Sequence, residues 1–148
     1  VYMHWQRQFL HPMLKAFDAP SREECTAERP RSNTPLAALT LLNDPTFLEA
    51  ARCLAERILL EGGDEEQSQL NYAYQLALSR QPDELEQEML LGLLDDQFQY
   101  YQTNPQDAEK LLSVGLKKVN ATLPQNQLAA WTQVARVLLN LSEVTTRN

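Results

Sequence analysis

Apolar side chains recur along this chain at the helical period almost from end to end. Over residues 45 to 61, Phe47, Ala51, Leu54, Ala55, Ile58 and Leu59 follow one another so as to share a single helical face. The same spacing turns Leu70, Ala73, Tyr74, Ala77 and Leu78 inward on a helix that Asp64 opens and that runs to about Leu78. Leu90, Leu94, Phe98 and Tyr101 mark a long helix begun by Pro82 and Asp83, and Asn104-Pro105 restarts the chain into a shorter helix over 106 to 114 that ends at Gly115. Leu128, Trp131, Val134, Ala135, Leu138 and Leu141 make the stripe of a last helix from about Gln125 to Leu141. No alternation of apolar and polar residues predicts a strand.

Two capping phrases sharpen this picture. Asn33-Thr-Pro and Asn43-Asp-Pro each set a proline at the first helical position behind a polar cap, Asn33 or Thr34 in the first case and Asp44 in the second. A cap satisfies backbone N–H groups that lack an intrahelical partner, and proline there gives up only a donor that was spare. Residues 35 to 43 are apolar nearly all round, which predicts a central helix, and Gly62-Gly63 stop the helix that follows it. The segment from Ala73 to Asp83 has the spacing of a tetratricopeptide second helix, but no repeat near 34 residues accompanies it.

The first 33 residues read differently. Tyr2, Trp5, Phe9, Leu10, Met13, Leu14 and Phe17 form an aromatic packing arm with a short helix that Pro12 breaks or kinks, and residues 18 to 33 are a charged, aperiodic loop. The expectation is an all-α protein: a compact multi-helix bundle of about six helices over 35–148, preceded by an arm and polar loop over 1–34.

Composition agrees with helix and narrows the partners. Leucine, alanine, glutamine and glutamate dominate, valine and isoleucine are scarce, and 43% of residues are hydrophobic. Twenty acidic against 13 basic side chains give a net charge of −7, which argues against nucleic acid as a partner. No apolar run is long enough for a membrane span. Cys25 and Cys53 lack metal spacing; Cys53 falls on an apolar helical face, and a bridge between the two is left open. The opening Val1-Tyr-Met-His-Trp reads as the continuation of a longer protein.

Chemistry is thinly marked. His4 and His11 could share a helical face, but no cysteine pair or acidic triad completes a metal site around them, so the metal assignment is none. Asp18, Arg22, Arg29, Arg31, Asn33, Thr34, Asn43 and Asp44 form a polar constellation. Asp18, Arg22, Arg31, Asn33 and Asp44 are its candidate ligand-binding residues, able to clamp a carboxylate or phosphate with help from helix N-termini. Capping and loop-locking explain the same residues without a ligand. No nucleophile–base pair stands among them, so no catalytic residue is assigned. The acidic runs Asp64-Glu-Glu and Asp83-Glu-Leu-Glu suit helix first turns and lack the pattern of a calcium loop.

Three phrases resemble a known family. Phe17-Asp-Ala-Pro-Ser-Arg-Glu, then the stretch from Arg31 through Ser-Asn-Thr-Pro and Asn-Asp-Pro-Thr-Phe to Arg52, and finally Ala130-Trp-Thr-Gln-Val-Ala-Arg to the terminal Thr-Arg-Asn, are similar to the planctomycete-specific C-terminal domain of unknown function. That PSD-type domain occurs in large secreted proteins that often carry a cytochrome c domain upstream. Tyr2 through Arg7 also resembles the family's entry segment, whereas Ala37 stands where the family usually has Gln. The resemblance implies an extracytoplasmic setting and a haem on another part of the parent. This chain has no Cys-x-x-Cys-His, so no cofactor is expected in it. No activity comes with the family.

The leading expectation is therefore a non-catalytic helical interaction or structural module that contacts upstream domains or another protein. Tyr2, Trp5, Phe9 and Phe17 are its candidate partner contacts, and the arm is a candidate surface for self-association. The alternative is half of a ligand-binding or catalytic site for a carbohydrate or anionic ligand, completed by upstream domains.

Overall fold

The computed structural model describes residues 12–20, 27 and 34–145. Among these, all regular structure is helical: α1 (Pro12–Ala16), α2 (Pro35–Asn43), α3 (Pro45–Glu61), α4 (Glu66–Leu78), α5 (Glu84–Thr103), α6 (Pro105–Leu112), α7 (Gln125–Leu139) and α8 (Ser142–Thr145). Six of them, α2 to α7, are the six helices expected; α1 and α8 are single short turns. The chain divides into two compact units, residues 1–40 and 41–148, with the division inside α2.

In the first unit, Pro12 is the first described residue of α1, and the residues on its N-terminal side that would show a break or kink lie outside the described residues. The helix ends in a Schellman turn: Ala19 N–H donates to the Leu14 carbonyl at 2.9 Å and Asp18 N–H to that of Lys15 at 3.2 Å. Asp18 takes the left-handed conformation this turn requires, with φ of 54°. At α2, Thr34 is the cap, its hydroxyl accepting from Ala37 N–H at 3.2 Å. The expectation that this helix is central is corrected by its exposure. Only Ala37 is buried, and Leu36 and Leu39 are more than half exposed.

The second unit is built around α7. Leu128, Ala129, Ala130, Trp131, Thr132, Val134, Ala135 and Leu138 are all buried, so its apolar surface extends well beyond the predicted stripe. It packs chiefly on α3 and α5, with α6, α4 and α8 adding smaller contacts. Its alanines let neighbouring backbones approach closely. Thr132 satisfies its hydroxyl within the helix, donating to the Leu128 carbonyl at 2.7 Å. Ala51, Ala55 and Ile58 of α3, and Leu90, Leu94 and Tyr101 of α5, complete the core with Leu70, Ala73 and Tyr74 of α4. Each large aliphatic chain buried there contributes about 1.5–3 kcal/mol.

Local chemistry sets the corners. Asp44 caps α3 by accepting from Thr46 N–H at 2.8 Å, with Pro45 at the first helical position. At the other end Gly62 N–H closes onto the Ile58 carbonyl, and a Cβ on Gly62 would lie 2.6 Å from that oxygen and 2.9 Å from Gln69 Cα. Gly63 supplies the positive φ, 90°, and its carbonyl accepts from Gln69 Nε2 at 2.7 Å. The next helix is capped from Glu65 rather than opened by Asp64, and without a side-chain hydrogen bond. Gly62 thus sits against backbone on both sides, and Gly62→Ala is expected to cost about 1–3 kcal/mol as overpacking, read from urea unfolding midpoints at unchanged m-value.

Between α4 and α5, Asp83 and Glu86 form a reciprocal capping box: Glu86 N–H donates to Asp83 Oδ1 at 2.7 Å, and Asp83 N–H to Glu86 Oε2 at 2.9 Å. Arg80 grips Glu86 with both terminal nitrogens, at 2.7 and 2.6 Å, and donates through Nε to Glu143 of α8 at 3.1 Å. Its guanidinium also lies 5.2 Å from the centre of the Tyr74 ring. The Arg80 bonds, aided by Asp83 N–H, hold the Glu86 carboxyl down to about 2 from its ordinary 4.5. A depressed carboxyl stabilises the fold above its ordinary value and loses that contribution as pH falls toward its folded value. The melting temperature is therefore expected to drop on acidification from about pH 4.5 to about pH 2. In Glu86→Gln the drop over that interval should be shallower, as thermal melts across pH 2–6 will read.

Candidate functional site

The residues nominated from sequence are placed as follows. Arg22, Arg31 and Asn33 lie outside the described residues, as do Tyr2, Trp5 and Phe9. Asp18 belongs to the turn after α1, and Phe17 beside it is 40% exposed. Asp44 directs its carboxylate to the start of its own helix α3. His4, His11 and Cys25 are likewise outside the described residues, and Cys53 is a free, half-buried thiol on α3. Among the described residues no group of three His, Cys, Asp or Glu side chains could hold a metal ion, and no helix is long and apolar enough to cross a membrane.

The most organised polar cluster was missed in the sequence. Glu49, Arg52 and Glu56 project from one face of α3 onto residues 115–120 of the connection between α6 and α7. Arg52 is 1% exposed and Glu56 5%. Arg52 donates to Glu56 Oε1 at 2.9 Å and to the Lys117 carbonyl at 2.7 Å. The Lys117 ammonium returns to Glu56 Oε2 at 2.8 Å, and Asn120 N–H adds a longer bond to Oε1 at 3.4 Å. One turn earlier, the Glu49 carboxylate accepts Leu116 N–H at 3.0 Å and Lys117 N–H at 2.7 Å.

Electrostatics follow this geometry. The two backbone donors, Leu116 first and Lys117 next, hold the Glu49 carboxyl below the usual carboxylate value. The Glu56 carboxylate lifts the Lys117 ammonium above the usual lysine value, with a further contribution from Cys53. Gly115 makes the approach possible. Its φ is 104°, and a Cβ there would sit 2.6 Å from a Glu49 carboxylate oxygen.

What this clamp presents is Leu116. The side chain is 98% exposed, although its backbone is fixed to α3. Lys117, whose side chain is 56% exposed, and Lys118, also exposed, follow it at the tip. The sequence held one signal for the clamp: Arg52 and Glu56, four apart, fall among the inward Ala51, Ala55 and Ile58. A charged pair on an apolar face has to find partners.

A second feature lies in the same unit. Leu94, Asp95 and Phe98 of α5, Glu66 of α4 and Pro124, Asn126, Gln127 and Trp131 at the start of α7 line a cleft of about 290 Å³. Its floor is apolar and aromatic, and two exposed carboxylates, Glu66 and Asp95, stand at its rim. Among the described residues no histidine, cysteine or hydroxyl side chain lines it.

All four described arginines are bound to groups of their own fold. Arg52 and Arg80 act as above. Arg57 pairs with Glu61 and with the Tyr72 hydroxyl on the surface. Arg136 donates to Gln133 Oε1 and to the Leu42 carbonyl, both at 2.6 Å, and Gln133 passes the chain on to the Tyr101 hydroxyl. Arg52→Met takes from the buried Glu56 its buried cation, leaving only the more exposed Lys117 ammonium, and is expected to lower stability by about 3–5 kcal/mol. Hydrogen exchange should show the Leu116 and Lys117 amides losing protection in that variant, while the core of α7 keeps its own.

A family model described as PSD1, protein of unknown function (DUF1553), matches residues 1–94. The match includes α3 with its three clamp side chains; the loop they hold and all of α7 follow it. No curated protein and no solved structure matches the chain.

Proposed function

The chain belongs to the PSD1 family of proteins of unknown function (DUF1553), and from that premise we propose that it is a non-catalytic helical interaction module whose contact element is the clamped loop around Leu116. The observation that carries this reading is the contrast at that residue. Single exposed leucines are ordinary on protein surfaces. Here, however, the Glu49 carboxylate holds the backbone N–H of a residue that is itself 98% exposed, and the buried Arg52 guanidinium holds the carbonyl of Lys117 beside it. A pre-ordered tip binds without losing loop entropy on contact, which is how a small apolar anchor gains affinity.

The polar groups support the same reading. The described arginines and the capping carboxylates are engaged by helix ends and by one another. A carbohydrate or anion half-site built on Asp18 and Asp44 therefore draws no support from the described residues. Phe17, with Tyr2, Trp5 and Phe9, stands as a second proposed contact. The proposal takes its setting from the resemblance: an extracytoplasmic protein in which haem belongs to another domain.

A photo-cross-linking amino acid at position 116 of the natural protein tests the contact element, with position 60 as control because Leu60 is also well exposed on α3. Position 116 should give one cross-linked product of defined mass in the extracytoplasmic fraction, and position 60 none. Absence of product at 116, or equal products at both positions, would overturn the reading.

A further inference from the structure

Resting on that reading of Leu116, we propose that its partner is a second copy of this chain, whose cleft between α4, α5 and the start of α7 receives the Leu116 tip. Tip and cleft match in chemistry. The tip is one large aliphatic side chain with exposed Lys118 two residues on, while Lys110 and Lys117 are taken up by Asp107 and Glu56 of their own chain. Lys118 thus sets a positive charge beside the apolar tip on a chain of net charge −7. The cleft offers the complement, with Leu94, Phe98, Pro124 and Trp131 inside and the Glu66 and Asp95 carboxylates at the rim.

Size points the same way. At about 290 Å³ the cleft falls just under the range of small-molecule pockets, roughly 300–1,000 Å³. It suits one or two side chains. The tip cannot serve the cleft of its own molecule while the clamp stands. Glu49 and Arg52 fix Leu116 and Lys117 to α3, whereas the cleft is built from α4, α5 and α7.

Because tip and cleft are different patches, the contact is heterologous and repeats head to tail, giving rings or open chains. Its core is small, so association is weak and rises with concentration. The attraction between Lys118 and the rim carboxylates makes it weaken as salt is added.

Three forms of the chain test this by sedimentation velocity at low salt: the unmodified protein, Leu116→Ser and Asp95→Lys. Both substitutions fall on exposed side chains, and unchanged melting temperatures verify that both variants fold. The unmodified chain should sediment faster as concentration rises. Each variant alone should stay monomeric, because one lacks the tip and the other carries a repelling rim. Mixed in equal amounts they should form a one-to-one dimer and nothing larger, since Leu116→Ser keeps its cleft and Asp95→Lys keeps its tip. A monomeric unmodified chain, a mixture that stays monomeric, or a Leu116→Ser variant that associates like the unmodified chain would each overturn the proposal. A cross-link from position 116 to a different protein would also overturn it, while leaving the interaction module itself standing.

Discussion

Burial of the Arg52 guanidinium is the constraint from which much of the second unit follows. A cation at 1% exposure cannot be left to itself, because taking it out of water costs several kcal/mol unless hydrogen bonds and opposite charge replace the lost hydration. Glu56 on the same helix supplies one match. The Lys117 carbonyl, 65 residues further along, supplies the other. The connection between α6 and α7 therefore cannot behave as a free loop. It must bring a carbonyl to Arg52 and an ammonium to Glu56, and Gly115 gives it the conformation to do so. The connection then leads into α7, which packs against the same α3. Covalent continuity and packing impose the same arrangement twice.

Around α7 the core depends on small side chains as much as on large ones. Ala51 and Ala55 on α3 and Ala129, Ala130 and Ala135 on α7 are fully buried, and they let the two helices come close enough for Trp131, Leu128 and Leu138 to fill the space beyond. Polar anchoring is pushed to the edges of this core. Arg80 ties α8 to the α4–α5 corner, and Arg136 with Gln133 ties Tyr101 to the Leu42 carbonyl. Each anchor spans elements distant in sequence, so each adds specificity where leucine and alanine packing alone would allow helices to slide.

How far the sequence reveals this architecture depends on the range of the interaction. The starts of α2, α3 and α5 were legible because caps act within three residues: Thr34 on Ala37, Asp44 on Thr46, Asp83 on Glu86. The start of α4 was misread by a residue or two, since a run of three acids offers several equivalent caps and none makes a side-chain bond. The apolar circumference of α2 suggested a central position, yet periodicity reports only that a face is apolar, not that a neighbour covers it. Arg52, Glu56 and the Leu116 tip were least visible. Charged residues are ordinarily assigned to solvent, and the groups that reverse this assignment lie more than 60 residues away.

The same separation bears on where function can reside. Asp44, a carboxylate that the sequence offers as a ligand clamp, serves a helix start, where such a cap stabilises by about 1 kcal/mol without any ligand. Arg52 and Arg80, which sequence alone would leave on the surface, close internal networks. What the described surface offers a partner is therefore shape, with charge in a secondary role: an ordered apolar tip, a small acid-rimmed cleft and the exposed Leu36 and Leu39 of α2. Such features discriminate by fit and by the sign of the charge at the rim. Their discrimination is only as good as the rigidity behind them. In the proposed interaction module the buried clamp has a use beyond stability, because a leucine on a freely moving loop would meet many surfaces weakly and none specifically.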